Sequence, residues 1–146
     1  MQEFREFLER MDSAVVQRDW TSYRPLIDLP FVLVDSRATK VFLDEIALRS
    51  FFDVSTSIFG VGSNREIMRL ASGVVMLEPT LMHGTFESHV FDRGHRCAAP
   101  FLSTMLLRQV DDAWRMTLLT SRVGQLKWSD AITMNLMSPV GSAHSN

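Results

Sequence analysis

The feature that most constrains the fold is the stretch from Arg65 onward, where strand-like runs at roughly 65 to 78, 81 to 91, 97 to 110 and 113 to 123 follow one another. Compact turns separate them: Glu78-Pro79-Thr80, Asp92-Arg93-Gly94 and Asp111-Asp112. Proline, glycine and aspartate supply the turn geometry that tight antiparallel connections need. Each run is longer than the ~5 to 6 residues of an average strand. The expectation is a four-stranded antiparallel meander whose strands bend, with Gly73, Gly84 and Pro100 as candidate bulge sites. Val74-Val75-Met76-Leu77 and Thr104-Met105-Leu106-Leu107 are apolar on both faces, so both faces of the sheet need cover. Helices can cover one face, and a partner subunit the other.

The helices precede the sheet. Phe4, Phe7, Leu8, Met11 and Val15 recur at helical spacing with charged residues between them, predicting an amphipathic helix over about 2 to 18. Asp19-Trp20-Thr21-Ser22 can cap a second short helix through Tyr23 and Leu26 that ends before Pro30. Phe31-Val32-Leu33-Val34 and Lys40-Val41-Phe42-Leu43 form a small hairpin around Asp35-Ser36-Arg37. Asp44 then caps a helix over about 44 to 59, which Gly60 and Gly62 stop.

The 146 residues suit one domain over 1 to 146. Fifteen basic residues against 17 acidic ones leave a net charge of −2, so no polyanionic partner is expected, whether nucleic acid or anionic membrane. Apolar stretches such as Phe31 to Val34 or Gly73 to Leu77 fall far short of the ~20 residues a membrane helix needs. Acidic residues in the first ten positions do not suit a secretory signal, and the lone Cys97 permits no internal disulfide, so a cytoplasmic location is expected. Cys97 itself reads as a small buried thiol. A tail over 125 to 146 carries Leu126, Trp128, Ile132, Met134, Leu136 and Met137, too apolar to stay in water. It is expected to pack on the domain, as a lid over the cavity mouth or as cover for an outer patch.

The order helix, short helix, small hairpin, helix and four long curved strands resembles the nuclear transport factor 2-like superfamily, which includes ketosteroid isomerase and polyketide cyclases. The residues that carry the likeness are Gln17-Arg18-Asp19-Trp20, the Asp44 to Phe52 segment, and Leu106-Leu107-Arg108 through Asp111-Asp112-Ala113-Trp114-Arg115-Met116. The resemblance implies an α+β, cone-shaped half-barrel, a curved antiparallel sheet packed against N-terminal helices, with a ligand cavity in its concave face. Laid on the ketosteroid isomerase pattern, Asp35 falls where that enzyme has its general base. Partial burial tunes a carboxylate for proton transfer beside a carbonyl. Aspartate also caps a turn such as Asp35-Ser36-Arg37 in any fold.

The isomerase's oxyanion donors have no counterpart at the matching positions, which are Met11 and the stretch from Leu102 to Thr104. Losing one such donor costs ~3 to 4 kcal/mol of transition-state stabilisation, which argues against steroid enolisation by the same machinery. His83 and His89 share a strand face with Thr85 and Glu87, and they assist as acid/base groups if that face lines the cone. Six strand residues put the two imidazoles ~20 Å apart, so they hold no metal between them. Met11, Tyr23, Phe52, Thr104 and Leu119 are the expected ligand-binding wall. Two functions follow as alternatives. One is a metal-free, cofactor-free isomerase, cyclase or dehydratase acting on a small apolar or carbonyl-containing molecule, with Asp35 as base. The other is a non-catalytic ligand-binding or dimeric accessory domain. A homodimer through the convex sheet face is expected in either case.

Overall fold

The structure, a computed structural model, describes residues 1–121. Helix α1 (Gln2–Val16) turns Phe4, Phe7, Leu8, Met11 and Ala14 inward, as its spacing predicts. Asp19 caps α2 (Trp20–Tyr23) by accepting from the Ser22 amide at 3.1 Å. The second helix is shorter than expected, because Pro25 forces the chain into a 3-10 turn over Arg24–Leu26. Strand β1 (Ile27–Val34) starts earlier than the hairpin reading had it, and β2 (Thr39–Phe42) pairs back on it. Asp44 caps α3 (Glu45–Phe59) through the Ala47 amide at 2.9 Å. No helix among the described residues is long and apolar enough to cross a membrane.

The meander follows as β3 (Arg65–Glu78), β4 (Leu81–Asp92), β6 (Phe101–Val110) and β7 (Ala113–Ser121), with a two-residue strand β5 (His95–Arg96) beside the end of β4. The sheet runs in the order β2-β1-β7-β6-β4-β3. The meander's pairings are antiparallel, as expected, as are β1 on β2 and β4 on β5, while β1 lies parallel on β7. Arg93 and Gly94, then Asp111 and Asp112, take positive φ in the two-residue turns that close β4–β5 and β6–β7. The third run begins at Phe101, leaving Cys97 to Pro100 outside the strands. Cys97 is exposed there, contrary to the buried thiol expected, and its Sγ lies 3.5 Å from the Val90 carbonyl as a weak donor.

Extra residues bend the sheet into its cone. Ser72 and Leu77 are unmatched in the β3–β4 ladder, and Thr117 is the extra residue of β7 opposite Leu106 and Leu107. Neither Gly84 nor Pro100 marks a bulge. Along β4 the burial alternates without a break, with Met82, Gly84, Phe86, Ser88 and Val90 facing inward under the helices. The first half of α1 lies close on the sheet, and Gly84 makes room for the Phe4 ring. Phe31, Phe42 and Phe51 form an aromatic cluster with ring centroids 5.2 to 6.1 Å apart. The tail over 125 to 146 lies outside the described residues.

Candidate functional site

Between the second half of α1 and the sheet lies a cavity of about 100 Å³. Met11 and Val15 of α1, Phe51 and Phe59 of α3, Phe86 of β4, Met105 of β6 and Leu119 of β7 give it a largely apolar wall. The polar residues set in that wall are Asp12, Tyr23, Asp35, Ser55, Arg69, Ser88, Ser103 and Ser121.

Arg69 reaches from β3 to α1, and its Nη1 donates to Asp12 Oδ1 at 2.7 Å. Both side chains are largely shielded, 19% and 24% exposed. Burial pushes the Asp12 carboxyl above its ordinary pKa, and the Arg69 charge and hydrogen bond offset that rise only in part. The Arg69 guanidinium also lies over the Phe86 ring, 5.8 Å from its centroid. Tyr23 is buried at 2% exposure beneath Trp20 and Phe52, so its phenol is pushed up and stays protonated, although the Arg69 charge pulls the other way. Ser103 Oγ donates to Ser121 Oγ at 3.3 Å, and Ser55 Oγ donates to the Phe51 carbonyl at 3.0 Å.

Met11, Tyr23, Leu119 and Asp35 all line the cavity. The Asp35 Oδ1 accepts from the Arg37 and Ala38 amides at 2.8 and 2.9 Å, so the half-buried carboxylate shapes its own turn while facing the cavity. The other four candidates lie elsewhere. Phe52 packs behind Tyr23, with ring centroids 4.6 Å apart, and belongs to the core. Thr104 is on the opposite face of β6 from Ser103 and Met105, and its hydroxyl meets that of Thr120. His83 and His89 sit on the outer face of β4, because the inward positions are the even-numbered ones. There His89 Nε2 lies 2.8 Å from Glu87 Oε1, and Arg96 Nη1 donates to His89 Nδ1 at 2.9 Å. These two histidines cannot act on a molecule in the cavity. No three His, Cys, Asp or Glu side chains among the described residues come together as metal ligands.

The Asp12–Arg69 pair is what reading the sequence missed. Asp12 counts as polar-face on composition, yet it stands four residues from both Leu8 and Val16, on the edge of the apolar stripe. Arg69 shares one face of β3 with Ile67 and Ala71, the inward residues on either side of it. A charge inserted in each apolar pattern was the available signal.

No family model and no curated protein sequence matches this chain. Solved structures do. An NTF-2 like protein of unknown function from Shewanella oneidensis superimposes with a TM-score of 0.63 at 15% identity, over 83% of this chain and 97% of its own. A function-unknown protein from Mycobacterium tuberculosis gives 0.66 at 12% identity, over 99% of this chain and 92% of its own. The association domain of a Caenorhabditis elegans kinase, CaMKII, gives 0.64 at 11% identity, over 83% of this chain and 93% of its own. At these identities the likeness speaks to architecture, and together with the bent sheet and its helix-covered cavity it shows that this chain has the nuclear transport factor 2-like fold.

Proposed function

We propose that the protein binds a small, mostly apolar, carbonyl-containing molecule in the cone cavity and that Asp35 acts on it as a general base. The observation that carries the reading is the cavity itself, an apolar enclosure into which Asp35 and the Asp12–Arg69 pair face. Its size is comparable to cavities that hold a ligand of about six heavy atoms. A carboxylate anchored by two backbone amides is held in a fixed orientation, as proton transfer requires. Isomerisation and dehydration of carbonyl compounds both begin with abstraction of a proton next to the carbonyl, and neither needs a cofactor. Because His83 and His89 face away, Asp35 works without them in this proposal.

The test is deuterium exchange at the α-carbon of 3-methyl-2-butanone in D2O, followed by NMR. Exchange above the buffer rate that disappears in Asp35→Asn supports the base. Binding of the ketone without enhanced exchange returns Asp35 to its turn and leaves a non-catalytic ligand-binding domain.

The outer sheet face favours self-association. Met68 and Leu70 of β3 and Leu102 of β6 are exposed, and Leu70, Glu87 and Leu102 lie in one row across three strands. The CaMKII domain that shares the fold is an association domain by name. Pairing two such faces is the arrangement proposed here.

A further inference from the structure

Neither histidine of β4 faces the cavity, and one of them interrupts an apolar row on the outer sheet face. Val75, His83, Leu106, Leu118, Val32 and Val41 stand side by side across β3, β4, β6, β7, β1 and β2, as the strand register sets them. Val75 and Val41, at the two ends, are 56% and 52% exposed. Six strands ~4.8 Å apart, by the ~26 Å that Leu81 to His89 spans along β4, make a face of roughly 750 Å². A stable protein pair covers about 800 Å² on each partner. The row is also self-complementary. A two-fold axis through its midpoint sets Leu106 of one copy on Leu118 of the other, His83 on Val32, and Val75 toward Val41. We infer that the two-fold pairing of this face is released by acid, with His83 as the group that takes up the proton.

This rests on the sheet-face pairing proposed above and adds how it is controlled. His83 is half-buried and makes no hydrogen bond or ion pair with another described residue, so in the single chain its ring nitrogens are left to solvent. In the pair the ring is covered by Val32 and Val34 of the second copy, whose side chains offer neither donor nor acceptor. An imidazolium loses far more than a neutral imidazole when an apolar contact strips its water. No charge nearby reverses that preference. Val75 of β3 and Leu106 of β6 stand directly beside His83. The nearest charged side chains on this face, Glu78 of β3 and Arg108 of β6, flank Leu81 and are opposite in sign, and Arg108 Nη1 is bonded to Asp28 Oδ2 at 2.9 Å. On β4 itself Glu87 stands four residues away against His89, whose Nδ1 accepts from Arg96, so His89 has its partners within one copy. The pair therefore binds fewer protons than two separate chains, and by linkage a falling pH separates it. Histidine changes charge between about pH 5 and 8, which sets the window.

The test is sedimentation of the full chain at about pH 7.5 and about pH 5.5, at one ionic strength, for wild type, His83→Gln, His83→Leu and His89→Gln. Circular dichroism confirms that each chain stays folded at both. The wild-type dimer dissociation constant is expected to rise roughly tenfold or more at the lower pH, because each dimer covers two rings. In both His83 variants, which have no ring to protonate, the rise should be lost, while His89→Gln should keep it. A wild-type dissociation constant that is equal at the two pH values, or smaller at the lower one, overturns the inference and leaves the pairing standing. A rise that survives in both His83 variants, or that His89→Gln abolishes, refutes the assignment to His83. If wild type is monomeric at both pH values throughout the micromolar range, the sheet-face pairing itself fails and this inference falls with it. One polar and one apolar replacement guard against either of them disturbing the face.

Discussion

Replacing Gly84 with alanine tests how the cone is closed at one end. A Cβ built at Gly84 would stand 2.3 to 2.6 Å from three atoms of the Phe4 ring. Ordinary contact begins near 3.4 Å, so ring and strand must separate by about 1 Å. Phe4 is fully buried and wedged beside Phe86, with the ring centroids 6.3 Å apart, so it has no empty space to take up the shift. Overpacking of this kind costs about 1 to 3 kcal/mol. Against it stands a gain of ~0.4 to 1 kcal/mol from the stiffer unfolded chain, which leaves a net loss centred near 1.3 kcal/mol within a span of about 0 to 2.6. In a chain of this size that lowers Tm by roughly 2 to 8 °C. The assay is urea unfolding of wild type, Gly84→Ala, Phe4→Leu and the double variant. Phe4→Leu alone should destabilise by opening a cavity, but in the alanine background it should cost less, because the clash has gone. A coupling energy beyond the ~0.3 to 0.5 kcal/mol expected of independent sites is the signature. If Gly84→Ala is as stable as wild type, or if the cycle is additive, the close approach of α1 to β4 is not what closes that end.

Two further outcomes can be checked directly. Asp12 holds its proton more tightly folded than unfolded, so its contribution to stability is fully present below the ordinary value of 3.8 and is lost as pH rises through the higher folded value. Asp12→Asn cannot titrate, so the stability of wild type relative to this variant should fall across that window and be level on either side, as read by denaturant midpoints over a pH series. The opposite slope would mean that Arg69 more than offsets burial. On the outer face, Leu70→Glu with Leu102→Glu should weaken the proposed dimer by about tenfold or more, the effect of ~1.4 kcal/mol. Sedimentation at micromolar concentration checks it, and a monomeric wild type would refute the interface.

Local chemistry was legible wherever one residue decides one feature. Asp19 and Asp44 cap their helices, Arg93-Gly94 and Asp111-Asp112 make their turns, and α1 buries the stripe its spacing marks. Features that depend on neighbours in space were not. Period-two alternation placed His83 and His89 on a common face, but the face is chosen by the inward run Met82, Phe86 and Val90, which outweighs them in apolar size. On β6 both faces carry apolar residues, so the parity that puts Ser103 inside and Thr104 outside was not readable. On β7 the extra residue Thr117 switches the inward set from Met116 to Leu119 and Ser121, and a bulge leaves no mark in hydrophobicity. The parallel pairing of β1 with β7 joins residues some ninety positions apart in sequence, beyond any local pattern.

The same distinction explains why the chemistry moved between positions when the fold did not. On the isomerase pattern, the donor positions on the helix and the penultimate long strand are filled by Met11 and by Leu102 to Thr104, which argued against steroid enolisation by the same machinery. In space, the residue after Met11 is Asp12, which holds Arg69 from the facing strand, and Tyr23 of α2 and Ser88 of β4 line the same wall. A cone has many inward positions around one small volume, so a donor can be supplied from any of several elements without changing the backbone. Comparing aligned positions therefore tests whether one particular donor is present. Whether the cavity has donors at all is decided by the side chains that line it, and here Tyr23, Arg69 and Ser88 are among them.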